Sequence, residues 1–362
     1  MITISLCLIV KNEENSLGRC LGSVHDLVDE IVIVDTGSTD RTKEIAASFN
    51  ARLFDFEWIH NFAAARNYAF DQATMEYIFW LDADDVLEEK DRVLLRELKA
   101  TPDFDYDSVT MHYHLSFDAS GKVTSSLRRN RLVKRSCGFR WHGIVHEYLA
   151  VGGRIMDSAI AVTHRKDVPH TSRNLDIYRN QQKAGVPFSP RDQYYFANEL
   201  RDHGHYAEAA GMYERFLSGK QGWVEDNING CYKLADCYAH LEEKEKQLAS
   251  LLRALTYDKP RAELCCKLGD WFQQAGNWEV AIHWYQTATM LKLPENSWGA
   301  IDHAAWTWLP HLQLCVCYDR LGKRDKAYLH HELCKMHVPD HPSVKFNEAY
   351  FQKLGYPHQG GA

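Results

Sequence analysis

A 34-residue offset constrains the second half of this chain more than any other feature. Leu234-Ala235-Asp236-Cys237-Tyr238 aligns at that offset with Leu268-Gly269-Asp270-Trp271-Phe272. The second copy continues through Gly276, Trp278, Ala281, Tyr285, Ala288 and Pro294. Another, Leu314-Cys315-Val316-Cys317-Tyr318 with Gly322, Ala327 and Pro339, follows an insertion around Glu295–Trp306. An earlier, looser copy runs from Phe196-Ala197 through Gly204, Tyr206, Ala209 and Tyr213. Small residues recur where two helices of a pair must approach closely. One such unit cannot bury its apolar face alone, so the copies must stack. Four helix pairs in a short superhelix are expected.

The period is that of tetratricopeptide repeats, and it is confined to residues 190–362. Residues 1–170 carry a different pattern. Ile4–Val10, Glu30–Asp35 and Tyr77–Asp82 are nearly continuous apolar runs of strand length, each followed by polar residues. Leu17, Cys20, Leu21 and Val24 recur between the first two at helical spacing. Alternation of buried strand, turn and helix predicts an α/β domain with a mostly parallel sheet. Residues 171–189 read as a connecting helix and linker, with Thr171–Lys183 helical and Gly185–Pro190 in the linker.

Composition removes several classes of function. The chain has 362 residues, 42 Lys+Arg against 49 Asp+Glu and a formal net charge of −7, which disfavours a general nucleic-acid coat. With 45% hydrophobic and 25% charged residues it is an ordinary globular protein. It has no apolar run approaching the roughly 20 residues that span a bilayer. The opening Met1–Val10 lacks a basic start and a small-residue cleavage site, so it does not read as a signal peptide. The ten cysteines form no C-x-x-C pair and read as buried free thiols. A cytoplasmic protein with no transmembrane segment is the expectation.

Ligands of open parallel sheets bind beyond the carboxyl ends of the strands. Those ends hold Lys11-Asn12-Glu13-Glu14, Asp35–Asp40 and Asp82-Ala83-Asp84-Asp85. Neither G-x-G-x-x-G nor a P-loop sequence occurs, which disfavours dinucleotide and P-loop phosphate cradles. Carboxylates clustered after a buried strand call for a cation, and their hard oxygens suit Mg²⁺ or Mn²⁺, which could grip a diphosphate. Standing alone, Asp35 fits a helix-capping role, Arg66 a surface position on an Ala-rich helix, and Asp85 a solvated helix start.

Val10–Glu14, Ile33–Arg41, Phe62–Asn67 and Trp80–Asp84, in that order, resemble the motifs of family 2 glycosyltransferases with the GT-A fold. The resemblance covers roughly residues 3–165. It implies inverting transfer of a hexose, glucose or N-acetylglucosamine, from a UDP-sugar with Mn²⁺ or Mg²⁺. Asp35 and Arg66 would contact the uracil, with Val10 and Glu13 also on the donor side. Asp82 would meet the ribose side, and Asp84 the metal.

In-line attack needs a base for the acceptor's proton. Glu147, in Arg140–Glu147, suits that role, with His146 as its rival. The Trp141–Glu147 stretch resembles family members that carry tetratricopeptide repeats and act on bacteriocin peptides, flagellin or lipopolysaccharide core. That resemblance implies His164 as a further metal ligand; by itself His164 also fits a core histidine. The basic run Leu127–Arg135 reads either as a diphosphate-neutralising patch or as one exposed strand face. His330–His337 fails the zinc-protease pattern, because position 335 is Lys, and it belongs to a repeat helix.

A repeat superhelix offers an extended surface suited to peptides, so a peptide or protein acceptor is expected. The alternatives are a lipopolysaccharide-core or other glycan acceptor, an inactive repeat scaffold, or repeats that serve a homo-oligomer.

Overall fold

The structure is a computed structural model, and it describes residues 1–118, 121, 123–165, 171–293 and 299–356. It divides into two compact units, the first comprising Met1–Tyr195 and the second mainly Phe196–Asn296 and Ile301–Ala362. Residues 171–195 thus belong to the first unit.

In that unit β1 (Ile4–Val10), α1 (Leu17–Gly22), β2 (Glu30–Asp35), α2 (Thr42–Ser48), β3 (Arg52–Asp55), α3 (Phe62–Gln72) and β4 (Tyr77–Trp80) alternate. They are followed by β5 (Asp85–Val86), α4 (Glu89–Ala100), β6 (Ser108–Phe117) and β7 (Val123–Lys134). The strands β8 (Arg140–His142), β9 (Tyr148–Ala150) and β10 (Ile155–His164) and the helix α5 (Arg173–Lys183) come next. The main sheet has the order β3-β2-β1-β4-β7-β6-β10-β5. Its first four strands are parallel, β10 pairs parallel with β6, and β7 and β5 pair antiparallel. β8 and β9 form a separate hairpin.

Side chains alternate across a strand, and here both faces are buried. Ile4, Leu6 and Leu8 pack with Leu17, Cys20 and Leu21 of α1 and with Leu95 and Leu98 of α4. Cys7, Val32, Val34, Ile78 and Trp80 face the other way, onto Ala63, Ala69 and Phe70 of α3 and onto Trp141 and Leu149. Covered on both faces, the parallel strands are apolar nearly throughout. This is the mostly parallel α/β sheet expected.

The second unit carries the repeats. The pairs are α6 (Pro190–Asp202) with α7 (Tyr206–Gly219), α8 (Val224–His240) with α9 (Lys244–Arg253), α10 (Ala262–Gln274) with α11 (Trp278–Met290), and α12 (Leu309–Arg320) with α13 (Arg324–His337). The start of α6, through Tyr195, belongs to the first unit. α14 (Pro342–Lys353) follows. The turn inside each pair takes a positive φ at one equivalent place, at Gly204, Glu242, Gly276 and Gly322. At Gly269 a Cβ would lie 2.6 Å from the Tyr285 ring, so α10 and α11 require the small residue there. The repeat position read at Pro294 lies outside the described residues. Nine of the ten cysteines are buried and all are free. Among the described residues no helix is long and apolar enough to cross a membrane.

Candidate active site

The loops after β1 and β2 are laced into one floor. Asn12 bends through φ 55°; its N–H donates to Ser38 Oγ at 2.9 Å, and its Oδ1 accepts Thr39 N–H at 2.8 Å. Glu13 N–H donates to Thr42 Oγ1 at 2.7 Å and Glu14 N–H to Asp40 Oδ2 at 3.1 Å. The Val10 carbonyl accepts Thr36 N–H at 2.9 Å. Asp35, fully buried, divides its carboxylate. Oδ1 accepts the N–H groups of Gly37 and Ser38, each at 2.9 Å, which closes the turn. Oδ2 is buried with no partner among the described residues.

Beside this floor is a cavity of about 610 Å³, a volume ordinary for small-ligand sites. Val10, Glu13, Arg66, Asp82, Asp84, His146, Glu147 and His164 line it, and Asp35 does not. The turn after β4 forms its acidic part. Asp85 N–H donates to the Asp82 carbonyl, and Asp82 N–H to Asp85 Oδ2, both at 3.0 Å. The reading of Asp85 as a solvated helix start is therefore corrected. It is fully buried, 3.0 Å from Arg131 Nη1. Arg131 is itself fully buried, its guanidinium 3.9 Å from the Trp80 ring centroid and 4.4 Å from that of Tyr113. The exposed-face reading of Leu127–Arg135 fails as well. β7 is paired on both sides by β4 and β6, so Arg128 and Arg131 are buried, and Arg129 lines the cavity.

Asp84, Asp85 and His164 each offer a ligand atom within 4.8 Å of the others. His164 Nδ1 lies 3.4 Å from both carboxylates and 2.9 Å from the Tyr113 hydroxyl. Burial pushes the Asp84 carboxyl up to about 6, assisted by Asp82, Asp85 and Glu13 and opposed by His164. Burial disfavours the His164 cation, yet the Asp85 hydrogen bond and the nearby carboxylates raise its pKa. Two hard carboxylate oxygens and an imidazole fit Mn²⁺ or Mg²⁺. Asp85, which by sequence fits a solvated helix start, thus stands in one cluster with Asp84 and His164.

Arg66 sits at the centre of the charge network. Its Nη2 donates to Asp82 Oδ1 at 2.6 Å and its Nε to Glu147 Oε1 at 2.5 Å. The guanidinium lies 5.1 Å from Trp80 and 4.9 Å from Trp141. Burial alone would raise the Asp82 pKa, but Arg66 and Arg131 hold it down to about 2. The Ala-rich α3 supplies this buried arginine, capped by Asn61 accepting Ala64 N–H at 3.0 Å. Glu13 moves the other way, up, because burial and the charges of Asp82 and Asp40 outweigh Ser16 and Arg173.

Sequence reasoning missed part of the wall. Trp58, Phe62 and Tyr113 line the cavity, as do Thr171, Arg173 and Asn174 at the start of α5. Arg173 lies 4.8 Å from the Phe62 ring. Nothing in a stretch read as a connector marked these residues. The only available signal was an arginine at the first turn of a helix following a segment rich in site residues.

Residues 5–151 match the family model described as Glycosyl transferase family 2. Over 331 residues the chain is 29% identical to a TPR repeat-containing protein of Synechococcus elongatus, a match covering 88% of this chain and 74% of that one. It is 31% identical over 212 residues to the SPbeta prophage-derived glycosyltransferase SunS of Bacillus subtilis, covering 55% of this chain and 49% of SunS. It is 30% identical over 161 residues to the lipopolysaccharide core biosynthesis glycosyltransferase LpsC of Rhizobium meliloti, covering 42% and 59%. The chain thus spans about half the length of SunS and somewhat more of LpsC.

Proposed function

Because the chain carries a family 2 glycosyltransferase domain, we propose that it transfers a hexose, with inversion, from a UDP-sugar to a peptide or protein acceptor in the cytoplasm. The observation that carries this reading is the single cavity joining the Asp82–Asp85 turn and His164 to Glu147.

Asp84 and His164, with Asp85, would hold a Mn²⁺ or Mg²⁺ ion. Such an ion, when bound, supplies positive charge to a leaving diphosphate. The remaining roles belong to the chain itself. Asp35 does not line the cavity, but its buried, unpartnered Oδ2 belongs to the residue next to Thr36, which does, and it would accept a uracil N–H. The loops around Val10 and Glu13 fix that strand end. Arg129 and Arg173 bring guanidinium forks to the cavity, suited to phosphate oxygens. Glu147 takes the proton of the attacking acceptor group. Arg66 holds the Glu147 carboxylate in place, a different task from the uracil contact the resemblance implied. His146, whose ring is stacked between tyrosines, supports that loop.

The peptide acceptor rests on the repeats, whose stacked helices suit extended chains. The likeness to LpsC favours a glycan as the second reading.

The deciding experiment is calorimetric titration of UDP with Mn²⁺ and again with EDTA. Metal-dependent binding is expected. Folded protein that binds UDP in neither condition would sink the donor half of the proposal.

A further inference from the structure

We propose that Arg191 is a positioning residue for Glu147, acting through the backbone of His146; this rests on the catalytic reading of Glu147 given above. The loop between β8 and β9 is bolted down one carbonyl at a time. The Ile144 carbonyl accepts the N–H of Phe62, the first residue of α3, at 2.9 Å. The Val145 carbonyl accepts the Tyr178 hydroxyl of α5 at 3.4 Å. The His146 carbonyl accepts two donors from Arg191 in the first turn of α6, Nε at 3.1 Å and Nη2 at 3.0 Å. Three consecutive carbonyls are thus held by three different helices.

The third anchor bears the greatest load. His146 has φ 52°, a left-handed conformation that is strained for a residue with a Cβ. Such a conformation persists only where its surroundings over-determine it. Here the ring stacks 4.3 Å from Tyr195, nearly parallel at 17°, with Tyr178 on a parallel plane at 6.5 Å. Arg191 is itself held, 4.6 Å from the Tyr195 ring and 5.0 Å from that of Tyr148, the residue after Glu147. Its Nη2 also donates to the Tyr195 hydroxyl at 3.3 Å.

Glu147 therefore has two independent constraints. Arg66 fixes its carboxylate, and Arg191 fixes the peptide unit from which it springs. A charged fork on a carbonyl is stronger than a neutral hydrogen bond. Without it, His146 can relax out of the left-handed region and carry Glu147 with it. A displacement of about 1 Å at a catalytic group can cost on the order of 10²-fold in rate. Charge loss near the donor is not involved, because Arg191 does not line the cavity.

The test uses the full chain with Arg191→Ala, Arg191→Gln and Arg191→Lys. Three quantities are read: kcat for Mn²⁺-dependent UDP-glucose hydrolysis, UDP affinity by calorimetry, and amide hydrogen exchange across residues 141–150. For Arg191→Ala the expected result is a kcat lowered about 10–100-fold, UDP affinity within about twofold, and faster exchange confined to that loop. Arg191→Lys, which keeps a charged donor, should recover part of the rate and Arg191→Gln less. Unchanged exchange in the loop would overturn the proposal. So would a normal kcat despite faster exchange, or UDP affinity falling in step with kcat. If wild-type protein hydrolyses neither UDP-glucose nor UDP-N-acetylglucosamine, the catalytic reading fails, and the exchange arm alone decides whether Arg191 holds the loop.

Discussion

The two units bury different things. In the first, Asp35, Arg66, Asp85 and Arg131 are all buried, and Arg131 is the largest fully buried side chain among the described residues. In the second, the largest fully buried side chains among the described residues are Tyr213, Tyr285, Phe196, Phe216 and Phe351, of which Tyr285 and Phe351 pack with cysteines and alanines. Burying an ion pair costs desolvation that its attraction often fails to repay, so charge is not placed inside for stability. The first unit shapes a cavity with that charge, whereas the second, which also buries Glu199 and Asp226, packs its helices mainly on aromatic rings. Substitutions in the two units should accordingly fail in different ways.

The largest effect is expected at Glu147. Glu147→Gln keeps the shape and leaves Arg66 its bond to Asp82, but it removes the base. The turnover should fall about 10²–10⁴-fold with UDP binding intact. Steady-state kinetics beside calorimetry checks this. Unchanged transfer would break the comparison at its strongest point, because the buried charge would then serve structure alone.

What the sequence made legible follows the same division. Ile4–Val10 and Glu30–Asp35 are strands with the boundaries read from their hydrophobic runs, since a strand buried on both faces announces itself. The repeats were legible because their period is covalent. The site was legible only where it is contiguous: the strand-end motifs predicted Asp82, Asp84 and Glu13 in one place. Arg66 joining Glu147, 81 positions away, was not visible, because nothing local in an Ala-rich helix says which charge its arginine will meet. Arg131 misled for a related reason. A basic run reads as surface until the topology places its strand between two others.

A middle-sized effect is expected in the repeats, at Gly269. Helix propensity favours Gly→Ala by about 1 kcal/mol, and Gly211, on the exposed side of α7 with nothing within 4 Å, should show that gain. At Gly269 the new methyl would meet Tyr285 ring atoms at 2.6–2.8 Å. Overpacking of this kind costs roughly 1–3 kcal/mol, so Gly269→Ala should lower the melting temperature while UDP affinity stays normal. Thermal unfolding of both variants against wild type checks the sign. If both variants gain stability, close packing between α10 and α11 is not what holds the repeats together.

Acidification should act with opposite signs on the buried repeat histidines and on Asp84. In the second unit burial pushes His330 down to about 4, with help from His311, whose Nδ1 lies 3.0 Å from its own, and from Lys326. Burial lowers His311 and His331 as well. Between about 6.5 and 4 the unfolded chain therefore binds protons that the folded repeats do not, so their stability falls as pH falls through that window. For His330 alone the loss is about 1 kcal/mol at pH 5.5. Asp84 behaves oppositely. Its pKa near 6 lies above the unfolded value of 3.8, so the folded first unit binds the extra proton and gains stability as pH falls from 6 to 3.8. Asp82, held near 2, loses its contribution only below that window. Hydrogen exchange of metal-free protein at pH 7 and 5.5, corrected for intrinsic rates, should show protection falling in α12 and α13 and holding in β1, β2 and β4. Equal losses in both units would mean that the buried carboxylate and the buried imidazoles do not govern their response to acid.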